Sequence, residues 1–238
     1  MSDLPPFLRP FVVPHDPVTP VTVGEIDLYL PDTTPAPAVL MVHGGPLRPD
    51  LPSRPRAWTA YQGYGALLAR AGLVAGMFEH GFVDEDSIGL ARTHIRRAAD
   101  ALLPDPRVDP ERFGIWFFSA GGIFMGSVLA DPPAWHLAAV AGTYAAVADP
   151  DLDGSDLPQA TATAELSDLP LLLVRPEHDF DRIVSATDEL LERCSAAGRA
   201  VDVIDVPGAH HGFETVDDTD ASRDGVRRSI DWWVRALR

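Results

Sequence analysis

The sequence predicts an α/β fold, a mostly parallel central sheet with helices on both faces, and three observations carry that prediction. Short continuous apolar runs recur at Pro37–Val42, Leu73–Phe78, Phe113–Trp116, Leu137–Ala141, Leu171–Arg175 and Val201–Val206. Runs of that length, rich in Val, Leu and Ile, suit strands buried on both faces of a sheet. Segments with apolar residues at helical spacing alternate with most of them, the pattern of a parallel sheet with crossover helices. Polar or Gly-rich clusters close the runs, and in an open parallel sheet the carboxyl ends of the strands are where ligands sit. The length of 238 residues fits one domain, and no repeat, linker or low-complexity tract divides it.

In chain order, residues 1–20 are Pro-rich and read as an N-terminal arm or edge strand over the surface. Val21 to Leu30 reads as one strand, ended by Pro31-Asp32. Pro37–Val42 is a buried strand that stops at His43-Gly44-Gly45-Pro46. Trp58, Tyr61, Gly65 and Leu68 mark a helix stopped by Gly72, and Leu73–Phe78 is the next strand, running into Glu79-His80-Gly81. Ile88, Ala91, Ile95, Ala98 and Leu102 mark an amphipathic helix closed by Pro104. Asp109–Arg112 reads as a turn before a strand that ends at Ser119, and a helix follows over Ile123–Leu129. Asp131-Pro132-Pro133 breaks the chain ahead of the Leu137–Ala141 strand. Residues 145–169, rich in Ala, Asp, Thr and Pro with weak periodicity, are a candidate small lid. Leu171–Arg175 leads to Pro176-Glu177-His178-Asp179, followed by a helix through Ile183, Leu190 and Cys194 to Gly198. Val201–Val206 leads to Pro207-Gly208-Ala209-His210-His211-Gly212-Phe213, and Val226, Ile230, Trp233 and Leu237 mark the last helix.

Composition excludes several function classes. A net charge of −16 argues against nucleic acid and anionic membrane, which need clustered cations. All 19 basic residues are Arg, so Schiff-base chemistry and a P-loop lysine are ruled out. Cys194 is the lone cysteine and cannot form an internal disulfide, which fits a reducing compartment. The N-terminal residues lack the basic and apolar regions of a signal peptide, and no apolar run spans a bilayer, so the expected location is the cytoplasm. No His or Cys spacing suits a metal, and neither a metal nor a cofactor is expected.

The chemistry-bearing residues lie at the strand ends. Phe117-Phe118-Ser119-Ala120-Gly121-Gly122 is a strand, a sharp turn and a helix start: a setting that lifts one serine hydroxyl clear of the backbone and aims the next N–H at an oxyanion. A lone serine there could equally cap the helix. The order Ser119, Asp179, then His210-His211 supplies nucleophile, acid and base, each at the end of its own strand. The G-x-S-x-G pattern is kept at Gly121 but replaced at its first position by Phe117, whose ring needs room; Gly121, Gly122 and Gly126 are candidate sources of it. Arg48, Arg54 and Arg56 either receive a substrate carboxylate or pair with nearby acids. His43, Arg48, Glu79 and His80 are candidate substrate contacts, though His43 also suits a purely structural role in its loop.

These stretches resemble the α/β-hydrolase superfamily, and within it the dienelactone-hydrolase-like and acyl-peptidase-like serine hydrolases. The resemblance rests on His43-Gly44-Gly45-Pro46, Asp109-Pro110-Glu111-Arg112-Phe113-Gly114, Ser119-Ala120-Gly121-Gly122, Asp179 and His210-His211-Gly212-Phe213. It implies an α/β-hydrolase fold with no large cap domain. By family position it implies His211 over His210 as base, and Asp179 over Asp181 as acid, leaving Asp181 to cap the following helix. It implies an oxyanion hole of the Ala120 N–H with that of Gly45, or of Gly44. The implied activity is hydrolysis of a small carboxylic ester or lactone through an acyl-enzyme on Ser119, with a small-molecule acyl substrate and no nucleic-acid or membrane partner. The alternatives are a peptidase or amidase, disfavoured because such relatives usually carry an extra N-terminal propeller, and a non-catalytic binding module. The nucleophile is Ser119 where a dienelactone hydrolase has Cys. The oligomeric state is left open.

Overall fold

The structure, a computed structural model, describes residues 4–130, 135–149 and 157–238. Eight strands form one sheet: β1 Val21–Val23, β2 Ile26–Tyr29, β3 Ala36–Val42, β4 Val74–Met77, β5 Val108–Phe118, β6 Leu137–Thr143, β7 Leu171–His178 and β8 Asp202–His210. Their order is β1-β2-β4-β3-β5-β6-β7-β8, antiparallel across β1, β2 and β4 and parallel from β4 onward. The helices are α1 Thr59–Arg70, α2 Ile88–Leu102, α3 Met125–Ala130, α4 Ala160–Thr163, α5 Asp181–Ala196, α6 Phe213–Val216 and α7 Asp220–Ala236.

Alternation along each strand splits the core into two layers, as strand geometry requires. Leu40, Val42, Ile115 and Phe117 face a layer with α2, α3 and α5, through Ala91, Ile95, Val128 and Leu190. Val39, Met41, Trp116 and Phe118 face the other, with α1 and α7, through Tyr64, Leu68, Val226 and Trp233. Every residue of β3 is buried, so it reads as an unbroken apolar run. Among the described residues, no helix is long and apolar enough to cross a membrane.

Several elements differ from the sequence reading. Val21–Leu30 is not one strand but a tight hairpin, with Val23 paired to Ile26 and Gly24 between them at φ +59°, where a side chain would be strained. Asp109–Arg112 lies inside β5 as an outward loop: β3 pairs with Val108 through Ala36 and next with Phe113 through Ala38. The Asp109 carboxylate closes that loop, accepting from Glu111 N–H at 3.0 Å and from Arg112 Nε at 2.8 Å. The arm over residues 1–20 is irregular where described beyond a three-residue 3-10 turn, yet Val12 and Val13 are buried and Val12 N–H donates to the Glu214 carbonyl at 2.8 Å. Of the candidate lid over 145–169, Ala145, Val147, Leu157, Ala160 and Ala164 are core residues rather than a cover, and 150–156 lie outside the described residues.

Candidate active site

Three strands deliver three side chains to one point. Ser119 follows β5 directly and takes φ +51°, rare for a residue with a side chain, at the start of a 3-10 turn that runs into α3. Its hydroxyl lies 2.7 Å from His211 Nε2. His211 follows β8, and its Nδ1 lies 2.7 Å from Asp179 Oδ1, just beyond β7. The Asp179 side chain is 3 % exposed, and the same Oδ1 accepts Phe180 N–H at 2.7 Å. Asp179 therefore holds the Nδ1–H tautomer and leaves Nε2 free to accept the serine proton.

The competing residues are elsewhere. His210 is turned outward, its N–H donating to Asp217 Oδ2 at 2.6 Å and its Nδ1 lying 3.1 Å from Asp217 Oδ1. Asp181 does not cap α5: Phe180 holds the cap position, with no side-chain capping bond, and Asp181 is the first helical residue. There its charge suits the helix N-terminus.

The His43-Gly44-Gly45 loop packs against the turn. A Cβ on Gly44 would lie 2.8 Å from Ser119 Cβ and 3.4 Å from its Oγ, so only glycine fits there. Gly44 N–H is already used: it donates to the Tyr61 hydroxyl at 2.9 Å. Gly45 and Ala120 line a common cavity of ≈ 500 Å³, with Phe82, Ile123 and Ile183 on its walls and Asp84, Glu85, Asp86 and Arg182 among its charged groups. A second cavity of ≈ 340 Å³ borders Asp179, Tyr144 and Val174, and Ile183 lines both.

His43 and His80, candidate substrate contacts in the sequence, are buried and stack at 3.6 Å between ring centroids. His80 Nε2 lies 2.9 Å from the His43 carbonyl, and His80 Nδ1 accepts Phe82 N–H at 3.1 Å. His43 Nε2 accepts His80 N–H at 3.3 Å, while Nδ1 is bonded to the Gly44 carbonyl. All four ring nitrogens are spent on backbone, so the pair ties the β3 and β4 loops together and offers a ligand nothing. Burial, foremost, pushes His80 down to about 4 and His43 well below its ordinary value, so both rings are neutral.

A histidine with a depressed folded pKa gives stability that is complete above its unfolded pKa and lost as pH falls through the folded one. For His80 that window runs from about 6.5 to about 4 and is worth roughly 3 kcal/mol. The thermal midpoint is therefore expected to fall as pH drops from 6.5 to 4, with a flatter slope in His80→Gln. Equal slopes in the two proteins would contradict the assignment.

Arg48 and Glu79 also stand away from the site and line neither cavity. Arg48 pairs with Asp50 at 2.8 Å, and Glu79 lies 3.9 Å from Arg56, which reaches Asp27 at 3.3 Å. Local pairing, not a substrate carboxylate, occupies Arg48 and Arg56. Among the described residues, no group of three or more His, Cys, Asp or Glu could hold a metal ion.

Phe117 finds room differently than its neighbours in sequence suggest. Gly121, Gly122 and Gly126 are used for close backbone approach: a Cβ on Gly121 would meet the carbonyl oxygens of His43 and Val42, one on Gly122 the Ala146 nitrogen at 2.6 Å, and one on Gly126 the Pro158 carbonyl. Gly142, its register partner on β6, makes its room for Met125 and Ala145, and the Phe117 ring is fully buried in the core layer.

Three contributors have no sequence signal. Tyr61 accepts the Gly44 N–H but reads as helix packing. The Tyr144 ring packs on His211 at 4.5 Å and its hydroxyl donates to Glu214, a pairing no spacing reveals. Phe180 packs on His211 at 4.8 Å.

No protein-family model matches the chain, and no curated protein matches it by sequence. Solved structures do match in shape. Carboxyl esterase 2 of the fungus Tuber melanosporum superposes with a TM-score of 0.71 at 18% identity, covering 90% of this chain and 82% of its own. Dienelactone hydrolase of Anabaena variabilis gives 0.64 at 20% identity, covering 93% and 97%. A thermophilic esterase of the Planctomycetes species Thermogutta terrifontis gives 0.65 at 18%, covering 88% and 86%. With these likenesses, the strand order and the strand–turn–helix at Ser119, the chain has the α/β-hydrolase fold.

Proposed function

We propose that the protein is a serine hydrolase that cleaves a small carboxylic ester or lactone. The observation that carries the reading is the Ser119–His211–Asp179 relay, with both hydrogen-bond distances at 2.7 Å. Ser119 Oγ attacks the acyl carbon while His211 Nε2 takes its proton, and Asp179 stabilises the imidazolium that results. His211 returns that proton to the leaving oxygen, an acyl-enzyme forms, and water attacks it with His211 again as base. The backbone N–H groups of Ala120 and Gly45 hold the oxyanion; Gly45 is preferred because Gly44 N–H is committed to Tyr61. The cavity that Gly45 and Ala120 share takes part of a small acyl substrate. Three neighbours of the same fold bear the names of esterases and a dienelactone hydrolase, in keeping with this chemistry.

The test is turnover of p-nitrophenyl esters of increasing acyl length, simple lactones and aminoacyl anilides. Faster turnover of esters or lactones than of anilides is expected. Turnover confined to anilides would transfer the reading to a peptidase, and none at all would contradict it.

A further inference from the structure

Glu214 is a carboxyl with no part in the relay, 2 % exposed and three residues past His211. Its Oε1 accepts the Tyr144 hydroxyl, and its Oε2 has no hydrogen-bond partner among the described residues. The titratable groups that act on it electrostatically are Tyr61, Tyr64 and Tyr144, together with His211 and Asp217 on its own segment. Burying a carboxyl in such a place is costly unless it serves as a partner for something else. What it partners is the ring beneath the base.

Two rings pack against His211. Phe180, at 4.8 Å, is 56 % exposed and has solvent to move into. Tyr144, at 4.5 Å, is buried and held at both ends: its N–H donates to the Val174 carbonyl at 2.9 Å and its hydroxyl donates to Glu214. Its backbone is at φ +38°, a conformation that costs a side-chain-bearing residue of order 1–3 kcal/mol and persists only where surroundings impose it. The firm wall behind the imidazole is therefore Tyr144, and Glu214 is what pins its far end.

We propose that Glu214 is a positioning residue: by accepting the Tyr144 hydroxyl it fixes the ring against which His211 packs, and so sets the Ser119–His211 alignment without touching substrate. Burial, foremost, raises the Glu214 pKa, so it keeps its proton to higher pH than a surface glutamate. A neutral acceptor is all the role needs, which makes Gln the conservative replacement. This reading rests on the hydrolase proposal.

The test compares Glu214→Gln, Glu214→Leu and Tyr144→Phe, each at a temperature where circular dichroism shows a folded protein. The readouts are the second-order rate of fluorophosphonate labelling, and kcat and KM on p-nitrophenyl acetate. Glu214→Gln is expected within about threefold of wild type, its amide oxygen accepting the Tyr144 hydroxyl. Tyr144→Phe and Glu214→Leu are expected to lower labelling rate and kcat at least about tenfold with KM unchanged, since small misplacements of a catalytic group cost up to about 10²-fold. Labelling and kcat at wild-type level in Tyr144→Phe would overturn the proposal even if the Leu variant failed to fold. So would a Gln variant as slow as the Leu variant. A wild-type protein that is not labelled at all would instead overturn the hydrolase reading beneath it.

Discussion

Replacing Ser119 with Ala is expected to abolish ester hydrolysis, lowering kcat by about 10⁶, as far as loss of a triad serine goes where nucleophile and base act as a unit. The size follows from geometry. Ser119 Oγ lies 2.7 Å from Nε2 of a histidine whose Nδ1 is held by Asp179, and the backbone strain at φ +51° holds it at the tip of the turn. Without the oxygen there is no acyl-enzyme, and the residual rate is that of water in a site with intact oxyanion donors, roughly 10³–10⁴ above the uncatalysed reaction. The substitution is mild for the fold, since it removes one oxygen and keeps Cβ, so thermal stability is expected to stay within about 1 kcal/mol of wild type. Initial rates at high enzyme concentration, on protein free of contaminating esterase, measure the loss; retention of even a tenth of wild-type kcat would refute the nucleophile assignment.

Asp179→Asn is the second large effect, expected to lower kcat by about 10⁴. The carboxylate accepts from His211 Nδ1 at 2.7 Å and from Phe180 N–H at 2.7 Å, and its side chain is 3 % exposed. Both bonds end on Oδ1, so an amide of the same shape keeps them only with its oxygen in that place, where it carries no charge to stabilise the imidazolium. If the NH₂ group takes the Oδ1 position instead, it faces His211 Nδ1 and selects the tautomer with the proton on Nε2, which cannot accept from Ser119. The loss should therefore appear in kcat with KM little changed. Asp181→Asn, at the first turn of α5 and outside the relay, should leave kcat within about twofold. A reversal of the two results would reassign the acid.

Much of this was legible in the sequence for a physical reason: a strand buried on both faces must be apolar throughout. Ala36–Val42 is buried at every residue and reads as one run. The grouping of a serine, an acid and a histidine was legible because a parallel sheet gathers the carboxyl ends of its strands; strand ends and chain order pointed to Ser119, Asp179 and the His210-His211 pair, and the family resemblance preferred His211 and Asp179 over His210 and Asp181. The hairpin at Val21–Tyr29 was not, because a glycine inside an alternating stretch looks the same whether the strand continues or reverses at it. Asp109–Arg112 has the composition of a turn and does loop out, but β3 pairs on either side of it, so the strand begins earlier than its apolar residues do. His43 and His80 look like substrate contacts because polar residues at strand ends usually face the ligand. Burial against each other makes them neutral backbone ties. Tyr61 of α1 meets Gly44, and Tyr144, just past β6, meets Glu214 of α6, only in the folded chain, and no local pattern connects either pair.

Fluorophosphonate labelling followed by intact mass measurement and peptide mapping tests activation of the Ser119 hydroxyl by His211 without knowledge of the substrate. One adduct per chain is expected, on the peptide that carries Ser119, absent from Ser119→Ala and greatly slowed in His211→Ala. No adduct on the wild-type protein, or an adduct that persists in Ser119→Ala, would contradict Ser119 as the activated nucleophile.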